Sequence, residues 1–357
     1  MQNILVTGGA GFIGSNFIRY LLSEKNGYAG RIINLDKLTY AGNIENLEDF
    51  TQDPRYIFEQ ADIADRPVIE EIFQKYEIDT VVHFAAESHV DRSILGPEEF
   101  IRTNVFGTFT LLDAARKYWK GRKDVLFQHV STDEVYGSLG PEGYFYENSC
   151  YDPRSPYSAS KAGSDHLVMA YYHTYGLPVT ISNCSNNYGP YQFPEKLIPL
   201  MILNMLEDKP LPVYGKGLNV RDWLYVTDHC DGIWRVIERG IPGNKYNFGG
   251  DAEKKNIDVI HDLASVVAEF TGKRKDALLK HVTYVADRPG HDLRYAIDSS
   301  KSKRELDWHP ATSFTTGLEK TVSWYLQHME WVENIRSGEY RQWIKTNYEE
   351  REEQASI

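Results

Sequence analysis

Cysteine is scarce: the 357 residues hold three, Cys150, Cys184 and Cys230, widely spaced and odd in number. They form neither a metal-type spacing nor a disulfide framework, which predicts a reducing, cytoplasmic setting and no metal site. No apolar run approaches the roughly 20 residues that a membrane span requires, so no membrane partner is expected. The opening "MQNILVTGGAG" lacks a basic n-region and its apolar run is short, so it does not read as a signal peptide. Positive charge is short as well. Lys and Arg number 39 against 51 Asp and Glu, a net charge of -12. That argues against nonspecific nucleic-acid binding, which relies on basic surface. It also means that an anionic ligand must be held by a local positive site. Internal repeats and low-complexity linkers are missing too.

What is present is ordinary globular composition, 41% hydrophobic and 25% charged. The length suits one large domain or two ordinary ones. Short apolar runs read as strands buried on both faces: "NILVTG", "RIINLD", "YIFEQADI", "TVVHFAAES", "DVLFQHVS" and "PVTISNCS". Amphipathic stretches lie between them, among them "FIGSNFIRYLLSEK", "PVIEEIFQKY" and "FIRTNVFGTFTLLDAARKYW". Such alternation implies β-α-β units and a parallel sheet. Past about Cys184 the rhythm breaks into Pro-, Gly- and Asn-rich loops with helices "KLIPLMILNML", "DVIHDLASVVAEFTG" and "GLEKTVSWYLQHMEWVENI". The expected class is α/β. A Rossmann-type doubly wound parallel sheet would span 1–183, with a smaller mixed α/β C-terminal substrate domain over 184–357. Segments near 228–250 and 291–308 would return to the first domain.

"LVTGGAGFIG" follows the first strand and opens a helix. Gly8, Gly11 and Gly14 permit a tight turn, let the backbone approach a pyrophosphate, and let helix pack on strand. The phosphate would sit on N–H groups at the helix start. Asp36 ends the second strand about 20 residues on, which is the context a dinucleotide site requires. Its carboxylate would accept from a ribose 2′-hydroxyl and repel a 2′-phosphate, which favours NAD over NADP. Lys37 beside it works slightly against that preference. Asp62 and Ile63 end the third strand where an adenine could rest. Ala85 and Ala86 end the fourth and leave room for the cofactor.

"SPYSASKAGSDH" carries Tyr157 and Lys161 four apart on one helical face. A phenol with a pKa of about 10 is a poor base at neutral pH. A nearby ammonium would stabilise the phenolate and lower that value. Taken alone, such a pair is a common surface coincidence. The same holds for "STDEVYG", where Asp133 and Glu134 sit side by side at a strand end and alone would read as a solvated turn.

Together the glycine turn and Tyr-x-x-x-Lys resemble the extended short-chain dehydrogenase/reductase family. Within it, "AAESHVDRSI", "STDEVYG", "PYSASKA", "NCSNNYGPYQFPEKLIP", "RDWLYV", "EKKN" and "DRPGHDLRYAID" resemble the dTDP-glucose 4,6-dehydratases, over nearly the whole chain. No catalytic position departs from their pattern. The resemblance implies oxidation at sugar C4 with Tyr157 and Lys161, abstraction of the C5 proton by Glu134, and protonation of the departing C6 hydroxyl by Asp133. Neighbouring carboxylates can divide such work, because repulsion and desolvation raise one pKa. Hydride would return to C6, so the NAD would stay bound. The resemblance extends the cofactor pocket to Phe12, Ile13, Leu38, Thr39, Ser88, Thr103 and Cys184. It implies that Ser88, Thr132 and Asn183 meet the sugar. Lys196, Arg221 and Arg288 are candidates for the pyrophosphate. Leu197, Pro212, Tyr214, Asn256, Asp287, His291 and Tyr348 would line the nucleotide pocket. His83 and His129 read as strand residues, and His89 as a neighbour of the site. The helices "FIRTNVFGTFTLLDAARKYW" and "SASKAGSDHLVMAYYHTY" carry excess apolar surface, and as in the family would form a four-helix bundle in a homodimer. A nucleotide-sugar 4-epimerase would share the turn, Asp36, Tyr157 and Lys161, but needs neither carboxylate. A decarboxylase and a non-catalytic NAD-binding regulator are more distant alternatives.

Overall fold

The computed structural model describes residues 1–23, 26–288 and 290–336. Its centre is a seven-stranded parallel sheet. Across it the strands run Lys245–Phe248, Val179–Cys184, Leu126–Thr132, Thr80–His83, Asn3–Thr7, Arg31–Asp36 and Tyr56–Gln60. The chain starts mid-sheet at Asn3–Thr7, moves outward to Tyr56–Gln60, then returns to Thr80–His83 and moves the other way. The order reverses between Asn3–Thr7 and Thr80–His83. Open α/β sheets bind their ligands in the crevice at such a reversal, beyond the strand C-termini.

Helices cover both faces, so the central strands have no solvent side. Ile4, Val6, Val82 and Val130 pack against Phe17, Ile18 and Leu21 of the helix Phe12–Leu22 and Cys230 and Ile233 of the helix Val226–Arg239. The alternate residues Leu5, Val81, Phe127 and Ile181 face the other way. They pack with Leu111 and Leu112 of Thr108–Tyr118 and Val168 of Pro156–Tyr175. The period of two in the strands thus sorts the apolar residues into two cores.

A further core gathers Tyr188, Ile202, Trp223, Leu263, Val267, Leu318 and Tyr325. It lies under the helices Leu197–Leu206, Asn256–Thr271 and Phe314–Gln327. Two small sheets accompany it, one of Glu253–Lys255, Val220–Tyr225 and Asn186–Tyr188, the other of Val282–Val285 and Leu211–Tyr214. From this region the chain returns to the large sheet with Val226–Arg239 and Lys245–Phe248. Later, Ile297 bridges to Phe145, and Trp308 packs edge-on against Phe248 at 4.8 Å.

Two expected helices are interrupted. The stretch beginning at Phe100 winds through a π-helical segment, Ile101–Gly107, before Thr108–Tyr118. There the Asn104 side chain takes over backbone groups, accepting from Glu87 N–H at 2.9 Å and donating to its carbonyl at 3.0 Å. The helix expected over "GLEKTVSWYLQHMEWVENI" is two, Phe314–Gln327 and Met329–Ile335. His328 breaks it: its Nδ1 bonds the Trp324 carbonyl at 2.7 Å and its ring stacks on the Trp324 ring. The second piece is aimed so that Trp331 Nε1 donates to Asn46 Oδ1 at 2.8 Å.

Candidate active site

The glycine turn is built by close approach. Gly8 has φ +70°, and a Cβ there would lie 2.7 Å from the Ala85 backbone. A Cβ on Gly14 would lie 2.3 Å from the Gly8 carbonyl oxygen. The helix Phe12–Leu22 starts with no side-chain cap and no acidic residue in its first turn. Its first N–H groups are therefore left for an anion. Asp36 is buried, with Oδ2 accepting from Ala10 N–H at 3.0 Å and Oδ1 from Leu38 N–H at 2.8 Å. Burial raises its pKa, and the two amides oppose the rise. Lys37 does not compete for this carboxylate: its Nζ pairs with Asp62 at 2.9 Å.

One cavity of about 330 Å³ runs from the turn past these residues. Gly8, Gly11, Phe12, Ile13 and Gly14 line its start, then Asp36, Lys37, Thr39, Asp62 and Ile63, then Ala85, Ala86, Ser88 and Thr103. Leu38 stays out of its wall and shapes the turn, with φ +58°. The far end holds Thr132, Asp133, Glu134, Tyr157, Lys161 and Cys184. The glycine cradle, the buried carboxylate and the lining that joins them to Tyr157 fit a dinucleotide.

The strand Leu126–Thr132 delivers the carboxylates into a 3₁₀ turn, Asp133–Tyr136, which Thr132 caps by accepting from Glu134 N–H. This is no solvated turn. Asp133 is 1% exposed, and its Oδ2 has no hydrogen-bond partner among the described residues. Burial and then the Glu134 charge push its pKa well above the carboxylate range. Glu134 is half-buried, and burial raises it too, but Arg221, Arg288 and Lys196 oppose the rise. The two neighbours thus differ, with Asp133 the better proton holder.

Tyr157 and Lys161 lie in the first turns of Pro156–Tyr175, fixed by Pro156 at its start and a Ser155–Ser158 capping box. Lys161 reaches the strand Leu126–Thr132. Its Nζ donates to the Val130 carbonyl at 2.8 Å and lies 3.4 Å from His129 Nε2. Burial pushes Lys161 down to about 8. Tyr157 is pushed well up by burial and then by the Glu134 charge, with a hydrogen bond to Thr132 opposing. Desolvation, which disfavours a buried phenolate, is the largest influence on it.

A second cavity of about 160 Å³ shares Ser88, Glu134 and Lys196 with the first. Tyr214, Arg221, Asn256, Arg288 and His291 line it. Arg288 pairs with Asp91 at 3.1 Å, and the Arg221 guanidinium lies over the Tyr295 ring. Burial and the two arginines hold His291 down at about 4. The cations expected for a pyrophosphate thus gather on one side of Glu134. Four expected substrate residues stand outside both walls. Asn183 is fully buried behind Thr132 and donates to its carbonyl at 3.0 Å, because its strand position points it under the site. Leu197 faces the core of the second region. Pro212 sits in the strand Leu211–Tyr214, and Asp287 pairs with His291 at the surface. Tyr348 lies outside the described residues.

Residues 5–321 match the family model described as GDP-mannose 4,6 dehydratase. The chain belongs to this family. A curated relative, the dTDP-glucose 4,6-dehydratase of Shigella flexneri, is 54% identical over 98% of this chain and 100% of its own. The solved dTDP-glucose 4,6-dehydratase of Streptomyces venezuelae, with NAD and TYD bound, is 47% identical at TM-score 0.86, covering 94% of this chain and 100% of its own. A UDP-glucose 4-epimerase from Thermotoga maritima, solved with UDP-glucose, is 30% identical at TM-score 0.80, covering 92% of this chain and 100% of its own. The epimerase has nearly the same fold, so the fold alone does not choose the reaction.

Two groups at the site were not read as part of it from the sequence, although His129 was read correctly as a strand residue. His129 and Asp165 form a fully buried pair, Nε2 to Oδ1 at 3.2 Å, directly behind Lys161. Asp165 also accepts from Ser131 Oγ at 2.9 Å and Tyr151 Oη at 2.7 Å. One signal was available: Tyr157, Lys161 and Asp165 repeat at i, i+4, i+8, so all three share a helix face. Glu195 is the other, buried beside Lys196, lining both cavities and pairing with Arg92 at 3.3 Å.

Proposed function

We infer that the chain converts dTDP-glucose to dTDP-4-keto-6-deoxyglucose and water with bound NAD. The observation that carries this reading is the Asp133–Glu134 pair at the end of the dinucleotide cavity, Asp133 buried and Glu134 half-buried beside the cations that oppose the rise of its pKa. An epimerase has no use for such a pair. NAD bound in the first cavity would supply the hydride chemistry, accepting hydride from C4 and returning it to C6. Tyr157 takes the C4 hydroxyl proton. The ketone acidifies C5, and Glu134 takes that proton. Asp133, holding a proton, gives it to the departing C6 hydroxyl. Lys196, Arg221 and Arg288 hold the pyrophosphate, and their charge also favours the ionised Glu134. Incubation with dTDP-glucose, followed by mass, should show loss of one water. A product of unchanged mass would point to the epimerase instead.

Asp36 is proposed to hold the adenosine ribose. A hydrogen bond to a charged group contributes about 1.5–3 kcal/mol, so Asp36→Ala should weaken NAD by roughly ten- to a hundredfold and narrow its lead over NADP. Calorimetry with both cofactors decides it. An unchanged preference would remove the ribose assignment.

A homodimer through a four-helix bundle is proposed as well. Leu95, Ile101, Phe106 and Tyr175 remain 60%, 51%, 47% and 54% exposed on and beside the two helices concerned. The other described residues therefore leave this apolar surface open, and a second copy would cover it. Light scattering at micromolar concentration should give twice the chain mass; a monomer would refute the proposal. No described helix is long and apolar enough to cross a membrane. A cytoplasmic setting is proposed because all three cysteines are free, Cys150 at the surface.

A further inference from the structure

The Ala10 carbonyl lies within the glycine turn and is held by two donors. Asn43 N–H reaches it at 3.0 Å and Asn46 Nδ2 at 2.8 Å. A peptide group is planar and trans, with its N–H opposite its carbonyl. Fixing the Ala10 carbonyl therefore fixes the N–H of Gly11, which donates to the Gly8 carbonyl at 3.2 Å. The helix Phe12–Leu22 starts from Gly11. The tilt of this one peptide thus sets where the first N–H groups of the helix point, and those are the groups left for a phosphate. Ala10 also donates its own N–H to Asp36 at 3.0 Å, which ties the turn to the ribose carboxylate.

Asn46 lies in the segment Ile44–Phe50, just after the loop whose Lys37, Thr39 and Gly42 line the first cavity. It is 1% exposed, and each of its polar groups is engaged. Nδ2 meets Ala10, and Oδ1 accepts from Trp331 Nε1 at 2.8 Å. The backbone N–H donates to the Asn43 carbonyl at 3.2 Å, and the backbone carbonyl accepts from Arg19 Nε at 2.8 Å. An indole N–H only donates and a peptide carbonyl only accepts, so the Asn46 amide fits one way round. Trp331 comes from the helix Met329–Ile335, 285 residues further along. Its ring packs edge-on to Tyr191 and Trp324, at 6.0 and 5.0 Å. Neither Asn46 nor Trp331 lines the cavity.

We propose that Asn46 and Trp331 are positioning residues for the cofactor. The indole sets the Asn46 amide, the amide sets the Ala10 carbonyl, and that peptide directs the helix N–H groups at the cofactor phosphate. A helix of the second region thereby takes part in holding a cofactor bound in the first. Retention of NAD depends on how that helix is seated, although no atom of it touches the cavity.

The proposal rests on the reading of the first cavity as the NAD site, and the test separates the two. Trp331→Phe removes one N–H and keeps an aromatic ring against Tyr191 and Trp324. Asn46→Asp keeps an acceptor for Trp331 but sets an oxygen against the Ala10 carbonyl. Each protein is loaded with NAD, and exchange for isotope-labelled NAD is followed by mass. Exchange should quicken about tenfold in Trp331→Phe and about a hundredfold in Asn46→Asp, the range expected when a buried polar group loses its partner. The KM for dTDP-glucose should not move, because the second cavity keeps its lining. The double variant should exchange no faster than Asn46→Asp, since both changes act through one carbonyl. Trp331→Phe, the milder change, decides the matter should Asn46→Asp not fold. Unchanged exchange, multiplying effects in the double variant, or a KM that rises in step with exchange overturns the proposal. Asp36→Ala is the control for the cavity: if it too leaves exchange unchanged, NAD sits elsewhere, and the reading of the cavity falls together with the proposal.

Discussion

Tyr157→Phe should lower turnover by about 10² to 10⁴, the usual cost of losing a general base. The substitution removes one oxygen and little else. The ring is 8% exposed and packs edge-on to Phe100, contacts that phenylalanine keeps. Lys161 stays anchored on Val130 and His129, so the cation is not lost with the phenol. Thr132 keeps its bonds to Glu134 N–H and Asp133. The loss then reports proton removal from the C4 hydroxyl and not collapse of the site. Because that step precedes hydride transfer, no reduced cofactor should accumulate on adding dTDP-glucose. Product formation and absorbance in the NADH band are read together. Turnover within tenfold of the unmodified protein would remove Tyr157 from the reaction.

The parts of the site readable from sequence are those whose chemistry is local. Gly8, Gly11 and Gly14 lie within one turn, and the contacts that demand glycine involve the Gly8 carbonyl and the adjacent strand end at Ala85. Asp36 ends a strand next to that turn, so spacing alone locates it. The fate of Lys161 was not readable, because the groups that hold it, Val130 and His129, come from a neighbouring strand about 30 residues away. The placement of Asn183 outside both cavity walls was not readable for a related reason. Ending a strand is visible in sequence, but which face its side chain takes depends on register, and register puts it against Thr132. The break at His328 depends on a ring stacking on Trp324 and an imidazole reaching a carbonyl, which helical periodicity does not encode. The two carboxylates are the clearest case. Side by side in sequence they read as equals. Only burial and the cations on one side of Glu134 make them differ.

Glu134→Gln tests that difference directly. Glutamine keeps the shape and can still hydrogen-bond, but it cannot take the C5 proton, so turnover should fall by about 10² to 10⁴. Oxidation at C4 should survive. The Glu134 charge is the largest interaction, after burial, that raises the Tyr157 pKa, and removing it makes the phenol easier to ionise. It also raises Asp133, so its removal lets that carboxyl fall. Arg221, Arg288 and Lys196 lose a negative neighbour, yet a pyrophosphate bound to them would supply charge in its place. The variant should therefore halt with reduced cofactor beside a 4-keto hexose that still carries its C6 hydroxyl. On adding dTDP-glucose, absorbance in the NADH band should rise and decay slowly, while the unmodified protein shows little. The unmodified protein should place one solvent deuterium at C5 of its product, and the variant should show no exchange there. Release of dehydrated product at the unmodified rate would mean that Glu134 takes no part in the elimination.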